Sequence, residues 1–332
     1  MEIEISVVIP TYKRPQLLNR CLDALQQQVF SEGAFEIIIV TDGPDLETIH
    51  AINSRDDWFM YKICSPGKKK GPAAARNFGW QLASGKLILF TDDDCIPGPY
   101  WVKSYWLAYN VCIRQGATGR LMDRPLAFRG PVAVPCPKRP TDYEKNTAGL
   151  ATADFVTANC ACSRLALERV GGFDETFAMA WREDSDLEFK LIRNGIPILH
   201  VSSAHVTHPV RKAGWGVSLK EQKKSMYNAL LYKKDPALFR KKIYSHPYWN
   251  YYAIIYCLLT SIVTALFRYW PLAIAAGCGW LLLTAAFIAK RLKGTSLSFS
   301  HITEMVLTSL FIPFLSVYWT WYGSFRFKTF FL

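Results

Sequence analysis

Three long stretches without a charged side chain constrain this chain more than any other feature. No Asp, Glu, Lys or Arg occurs from 243 to 267, from 269 to 289, or from 305 to 325. Each is near the roughly twenty residues that a membrane-crossing helix needs. In a bilayer a single segment satisfies its backbone N–H and C=O groups only as a helix. Buried core helices are the competing reading, and three such stretches close together weigh against it. Basic residues flank the first stretch (Lys233, Lys234, Arg240, Lys241, Lys242), the second (Lys290, Arg291, Lys293) and the third (Arg326, Lys328). An integral membrane protein with residues 1–232 in the cytoplasm puts the first two clusters inside, as the positive-inside tendency expects. Three full crossings would leave Arg326 and Lys328 outside. The third stretch, with Pro313 in its middle, therefore stays open between a crossing and a re-entrant or interfacial helix. Residues 233–243 carry Leu238, Phe239 and Ile243 among basic residues, which predicts a helix at headgroup level. The expected boundaries are 1–232, a basic juxtamembrane segment 233–249, and a membrane region 250–332 with two or three helices.

The first 232 residues read differently. Residues 5–10 and 36–41 are short β-branched runs, while 15–29 carries Leu17, Leu18, Cys21, Leu22 and Leu25 at helical spacing. Such alternation predicts an α/β domain whose mostly parallel sheet is covered on both faces. Further helices are expected over 73–84, 163–170 and 184–194, a strand over 87–90, a last strand over Ile196–Val206, and a long Pro- and Gly-rich loop over 120–150. Ligands of such sheets bind beyond the C-terminal strand ends. The nine cysteines contain no CxxC pair and read as reduced thiols. Met1-Glu2-Ile3-Glu4 has neither the basic leader nor the apolar core of a signal peptide. The formal net charge of +12 suits phosphate-bearing substrates and anionic lipid. No zinc finger or aromatic RNA-binding signature accompanies it, so nucleic acid is not the expected partner.

Asp92, Asp93 and Asp94 follow the apolar run Leu87 to Phe90. Three adjacent carboxylates at a strand end repel one another and lose hydration, so a cation should hold them. A divalent metal with a phosphate-bearing ligand fits, because hard cations take carboxylate oxygens. Lys68-Lys69-Lys70-Gly71 before a helix suits a diphosphate. Glu183-Asp184 opens a helix, where the dipole favours an anion.

In order, the motifs are Val7-Val8-Ile9-Pro10-Thr11-Tyr12-Lys13-Arg14-Pro15, Asp42-Gly43, Gly71 to Asn77, Thr91 to Asp94, Gly171 to Glu175, Glu183-Asp184-x-Asp186-Leu187 and His208-Pro209. Over about residues 5–210 this series resembles the inverting glycosyltransferases of family two, with the GT-A fold. The implied fold is a Rossmann-like, mostly parallel sheet sandwiched by helices, here followed by C-terminal transmembrane helices. The resemblance implies a nucleoside-diphosphate sugar, UDP-linked, bound by Pro10, Thr11, Tyr12, Asp42, Lys70, Arg76, Asp92 and Asp93. It implies a divalent metal, Mn2+ or Mg2+, on Asp94, with Asp92 and His208 beside it and His200 and His205 as rivals. It makes Asp184 the catalytic base, with Glu183 and Trp181 on the acceptor side. The family more often has two acidic residues where this chain has Thr41-Asp42, which loosens the choice of nucleotide. Phe173 is a further candidate for the acceptor pocket, Arg182 and Arg193 are candidate partners of Asp186, and Lys212 to Trp215 a candidate closing loop.

The Gln-x-x-Arg-Trp element of processive synthases does not occur, which favours single addition. The expected acceptor is a lipid-linked or glycan hydroxyl at the membrane. The alternatives are transfer to polyprenyl phosphate, or a silent scaffold that binds nucleotide-sugar.

Overall fold

The computed structural model describes residues 3–55, 61–115 and 124–331. Met1, Glu2 and the first part of the expected 120–150 loop (120–123) lie outside them. The chain forms two compact units, Met1–Pro135 with Gly149–Val210, and Cys136–Ala148 with Arg211–Leu332.

In the first unit, β-branched runs give β1 (Ile3–Thr11) and β2 (Ala34–Thr41), buried on both faces from residues 5 and 35 onward. Burial of both faces is why they read as apolar runs rather than as alternation. Helices α1 (Pro15–Gln26), α2 (Leu46–Asn53) and α3 (Pro72–Leu82) connect them to β3 (Tyr61–Cys64) and β4 (Leu87–Phe90). These four strands are parallel, in the order β3-β2-β1-β4. Beyond β4 the sheet becomes mixed. β8 (Cys160–Ser163) runs antiparallel to β4 and to β6 (Ala127–Arg129), and β9 (Ile198–His200) is parallel to β6. Helices α4 (Trp101–Gln115), α6 (Arg164–Val170) and α7 (Glu183–Arg193) complete the layers. One core contains Ile9, Leu22 and Trp101, the other Val8, Trp80 and Leu187.

A second, three-stranded sheet joins β5 (Ile96–Pro97), β10 (Val206–Thr207) and β7 (Val132–Ala133) in the order β5-β10-β7. The single strand expected over Ile196–Val206 is thus two strands in different sheets. The chain turns at Ser202-Ser203, where Ala204 N donates to Val201 O at 3.1 Å. The 120–150 segment is also more regular than a loop, since it holds β6, β7 and α5 (Asp142–Ala148). Both strands are too short to show a period.

The second unit contains α5, α8 (Val217–Glu221), α9 (Met226–Lys234) and α10 (Pro236–Lys242). Then come α11 (Trp249–Leu266), α12 (Trp270–Leu292) and α13 (Phe299–Arg326), all long and apolar enough to cross a membrane. α13 continues through Pro313. The helix expected over 233–243 breaks at Asp235, whose carboxylate caps α10 by accepting from Leu238 N at 2.9 Å. Phe239 does not face outward. It is fully buried, with Tyr232, Tyr244 and Phe331 at 5.3–5.6 Å between ring centroids.

Candidate active site

Thr11, Asp42 and Asp92 to Asp94 emerge at or just beyond the C-terminal ends of β1, β2 and β4, whose register pairs Thr11 with Thr41 and Val8 with Phe90. Parallel strands that end together set polar groups side by side on a rigid floor. Asp93 accepts from Thr11 Oγ1 at 2.8 Å and from Arg14 at 3.4 Å. Burial, opposed by Arg14 and reinforced by Asp94, pushes its carboxyl up to about 6. Arg14 had no role assigned from sequence. Its only signal is its place two residues after Tyr12 in the same strand-end loop.

The second acidic cluster joins the first through Arg76. Its guanidinium lies 2.6 Å from Asp92 and 3.3 Å from Glu183, with its side chain only 3% exposed. The sequence reading gave Arg76 to a diphosphate. In the structure both amino groups of the guanidinium are engaged by carboxylates, the partly exposed Asp92 and the buried Glu183. Glu183 is the first residue of α7 and is buried. Burial and the neighbouring Asp184 charge push Glu183 up to about 7, against the pull of Arg76. Burial also raises Asp184, opposed by the Ser185 amide, Arg182 and Arg76. Asp184 Oδ1 accepts from Ser185 N at 2.6 Å. Burial thus pushes both carboxyls of this coupled pair up, while Ser185 and Arg182 oppose the rise on Asp184.

Three neighbours surround this pair. Asp186 pairs with Lys190 at 3.4 Å, one helical turn on. Phe173 is 3% exposed and packs edge-on against Phe90 at 5.2 Å, so it is core and not pocket lining. Trp181 is 39% exposed and carries the Arg182 guanidinium 4.6 Å above its ring.

On the strand-end side, Asp42 is buried and accepts from Lys70 N at 2.8 Å and Gly71 N at 2.9 Å. It fastens the basic loop rather than standing open as the end of an Asp-Gly turn. Gly71 is obligatory there. Its φ is +104°, and a Cβ would meet Ala178 O at 2.4 Å. The Lys70 ammonium stays half exposed, 3.9 Å from Glu175, and Lys69 Nζ sits 3.8 Å from the Tyr12 ring centroid. Pro10 is buried within β1. Sequence reasoning also missed Asp45, which caps α2 through Thr48 N and accepts from Lys13 N. The spacing Asp45-x-x-Thr48 before a helix was the available signal.

Asp92, Asp94, Cys95 and His208 each offer a ligand atom, all within 4.8 Å of one another. His208 Nε2 is 3.5 Å from Asp94 Oδ1, and its buried Nδ1 has no hydrogen-bond partner. The small sheet explains the proximity. Ile96 pairs antiparallel with Thr207, so Asp94 and His208 leave the same end of adjacent strands. Burial and the Asp92 and Asp94 charges hold the Cys95 thiol well above its ordinary range, so it remains protonated. Two carboxylates and an imidazole remain, a donor set that fits Mn2+ or Mg2+ and not a thiophilic ion. His200 and His205 are exposed. Asn159, fully buried, ties this corner together. Its Nδ2 donates to Pro131 O and Ala204 O at 2.9 and 2.7 Å, and its Oδ1 accepts from Trp101 and Tyr105.

The family model "Glycosyl transferase family 2" matches residues 6–171, half of the chain. A second, "Glycosyl transferase family group 2", matches residues 144–322. The chain belongs to glycosyl transferase family 2. The first family match contains Thr11, Asp42 and the Asp92–Asp94 run, and the second contains Glu183, Asp184 and His208. A curated relative within this similarity is validoxylamine A glucosyltransferase of Streptomyces hygroscopicus subsp. limoneus, 27% identical over 245 residues, covering 64% of this chain and 51% of that protein. The chain thus spans about half the length of the curated relatives it matches first. Among solved structures it resembles the mannosyltransferase PcManGT from Pyrobaculum calidifontis, in complex with GDP-Man and Mn2+ (TM-score 0.54, 17% identity, covering 97% of this chain and 88% of that one). It also resembles S. aureus TarS (TM-score 0.53, 15% identity, covering 96% and 54%). At these identities the likeness shows the fold, which is the GT-A arrangement of a mostly parallel sheet flanked by helices. The family 2 region of this chain carries three further apolar helices after it.

Proposed function

We propose that this family 2 protein is a metal-dependent, inverting glycosyltransferase. It moves one sugar from a nucleoside diphosphate, UDP, to a hydroxyl of a lipid-linked or glycan acceptor at the cytoplasmic membrane face. The observation that carries this reading is Arg76, buried between Asp92 and Glu183, because it draws the strand-end carboxylates and the α7 carboxylates into one site.

Asp92, Asp94 and His208 would hold a divalent cation, which would supply Lewis-acid stabilisation of the leaving diphosphate. Pro10, Thr11, Tyr12 and Asp42 border the nucleotide side, and Asp93 is held beside them by Thr11. The half-exposed Lys70 ammonium, 3.9 Å from Glu175, is the cation assigned to the diphosphate. Asp184 takes the acceptor proton on Oδ2, since Oδ1 is occupied by Ser185. The acceptor oxygen bonds to the sugar C1 as the C1–O bond to the diphosphate breaks. A single displacement inverts that centre. Glu183 and Trp181 lie on the acceptor side. The apolar helices keep the enzyme at a membrane, which supports a lipid-linked acceptor.

The test is a panel of radiolabelled nucleotide-sugars offered with membrane lipid extract. We expect label in the lipid phase with Mn2+ and none in EDTA. Product formed equally well in EDTA refutes the metal assignment. Full activity of Asp184→Asn would instead point to an acceptor phosphate, which is already ionised and needs no base.

A further inference from the structure

α13 has the length and hydropathy of a membrane span, and at 28 residues it is about 42 Å long. Its contacts inside the second unit are those of a different kind of helix. Near its start, Glu304 Oε1 accepts from Gly216 N at 2.7 Å. At its middle, Thr308 and Ser309 accept from Arg291 at 2.7 and 2.9 Å, and the same guanidinium reaches Asp142 and Ser218. Further on, Lys223 Nζ lies 5.7 Å from the Trp319 ring, and a Cβ on Gly323 would meet Met226 O at 2.3 Å. Just past its end, Phe327 O accepts from Lys233 Nζ at 2.8 Å. α13 therefore runs side by side with residues 216–233 from Glu304 to its C-terminal end.

That register fixes the topology. Residues 216–233 contain only α8, α9 and a 3-10 turn between them, with Lys220, Lys223, Lys224 and Lys233, and no segment able to cross a bilayer. They lie on one side. If α13 crossed, Glu304 and Phe327 would sit on opposite sides of hydrocarbon roughly 30 Å thick. Their partners, Gly216 and Lys233, cannot be so separated. The number of crossings between Lys233 and Glu304 is even for the same reason.

The faces of α13 agree. Met305, Thr308, Ile312 and Ser316 are buried against the protein, together with His301 and Gly323. Leu307, Phe311, Tyr318, Tyr322 and Phe325 are 39–76% exposed and share the opposite face at 100° per residue. An outward apolar face rich in aromatics, bordered by Lys223, Lys233, Arg326 and Lys328, complements an anionic headgroup layer over acyl chains. By contrast, only 6% and 11% of the apolar windows of α11 and α12 are buried, against 33% in α13. α11 and α12 pack as an antiparallel pair, with Ser261 Oγ donating to Ala273 O at 2.9 Å.

We infer that α11 and α12 make both crossings of this unit as a hairpin, and that α13 lies flat on the membrane face with its aromatic side in the lipid. Arg326 and Lys328 then fall on the same side as Lys233, and the positive-inside conflict disappears. The inference is independent of the sugar chemistry, since it rests on contacts of the second unit alone.

The experiment uses the full chain with epitope tags at both termini and single protease sites inserted at Arg268 or at Gly294. Right-side-out and inverted vesicles are digested from outside. Both tags and the Gly294 site should be cut in the same vesicle orientation, and the Arg268 site only in the other. A C-terminal tag opposite to the N-terminal one overturns the flat α13. An Arg268 site cut from the same side as the tags overturns the crossing hairpin, and a Gly294 site cut from the opposite side overturns both.

Discussion

Arg76 stands between the buried Glu183 carboxylate and the partly exposed Asp92. A buried charge that loses its partner destabilises by about 3–5 kcal/mol, so Arg76 is as much a structural necessity as a functional one. The adjacent Glu183 and Asp184 divide their labour by environment. Glu183 is held up to about 7 in the fold, above its ordinary 4.5. Its folded pKa is raised, so its contribution to stability is fully present below about 4.5 and is lost as pH rises through about 7. Glu183→Gln removes that loss. Its melting temperature should match or fall below wild type at pH 5 and gain on it towards pH 8, by a difference on the order of 3 kcal/mol, followed by calorimetry. A pH-independent gap would refute the buried, protonated Glu183. Asp184→Asn should lower kcat by about 10²–10⁴-fold and leave donor affinity unchanged, read from initial rates and donor titration. Because Asp184 is raised above 3.8, kcat of the wild type should decline on the acid side at a pH above that value.

The small sheet is the element that makes the metal corner. Its strands are two residues long, yet β5 leaves Asp94 and β10 leads into His208, and their antiparallel register sets the separation of two ligand atoms. Asn159 holds three segments of that corner through its amide. Asn159→Ala should weaken Mn2+ binding by about 10–100-fold, measured by the loss of the free-ion EPR signal on titration. Unchanged Mn2+ affinity with a lowered melting temperature would leave Asn159 a purely structural residue. The motif series named Asp92, Asp94 and His208, but neither the small sheet nor Asn159 was legible in advance. Ser202-Ser203 marks the turn that splits Ile196–Val206, but a two-residue strand has no period to detect. β1, β2 and α3 were legible, because continuous apolar burial and helical spacing persist over a whole element.

At the scale of the whole molecule, an α/β enzyme fold is followed in the chain by a unit built around long apolar helices. The protein should stay in the pellet after carbonate washing of membranes and leave it only with detergent, checked by sedimentation. Release by carbonate would contradict the hairpin. The sequence by itself determined the class of each part: two-sided burial of the first strands, the uncharged length of the last helices, and the order of the acidic motifs. These are properties of contiguous residues, set by solvent and by local geometry. Only the tertiary structure decided that Arg76 meets Glu183 across 107 positions and that Lys233 meets Phe327 across 94. The first contact makes Arg76 a strut between the two acidic clusters, and the second separates a helix that crosses from one that lies flat. Both depend on which distant backbone segments pack together, and no local period or composition encodes that.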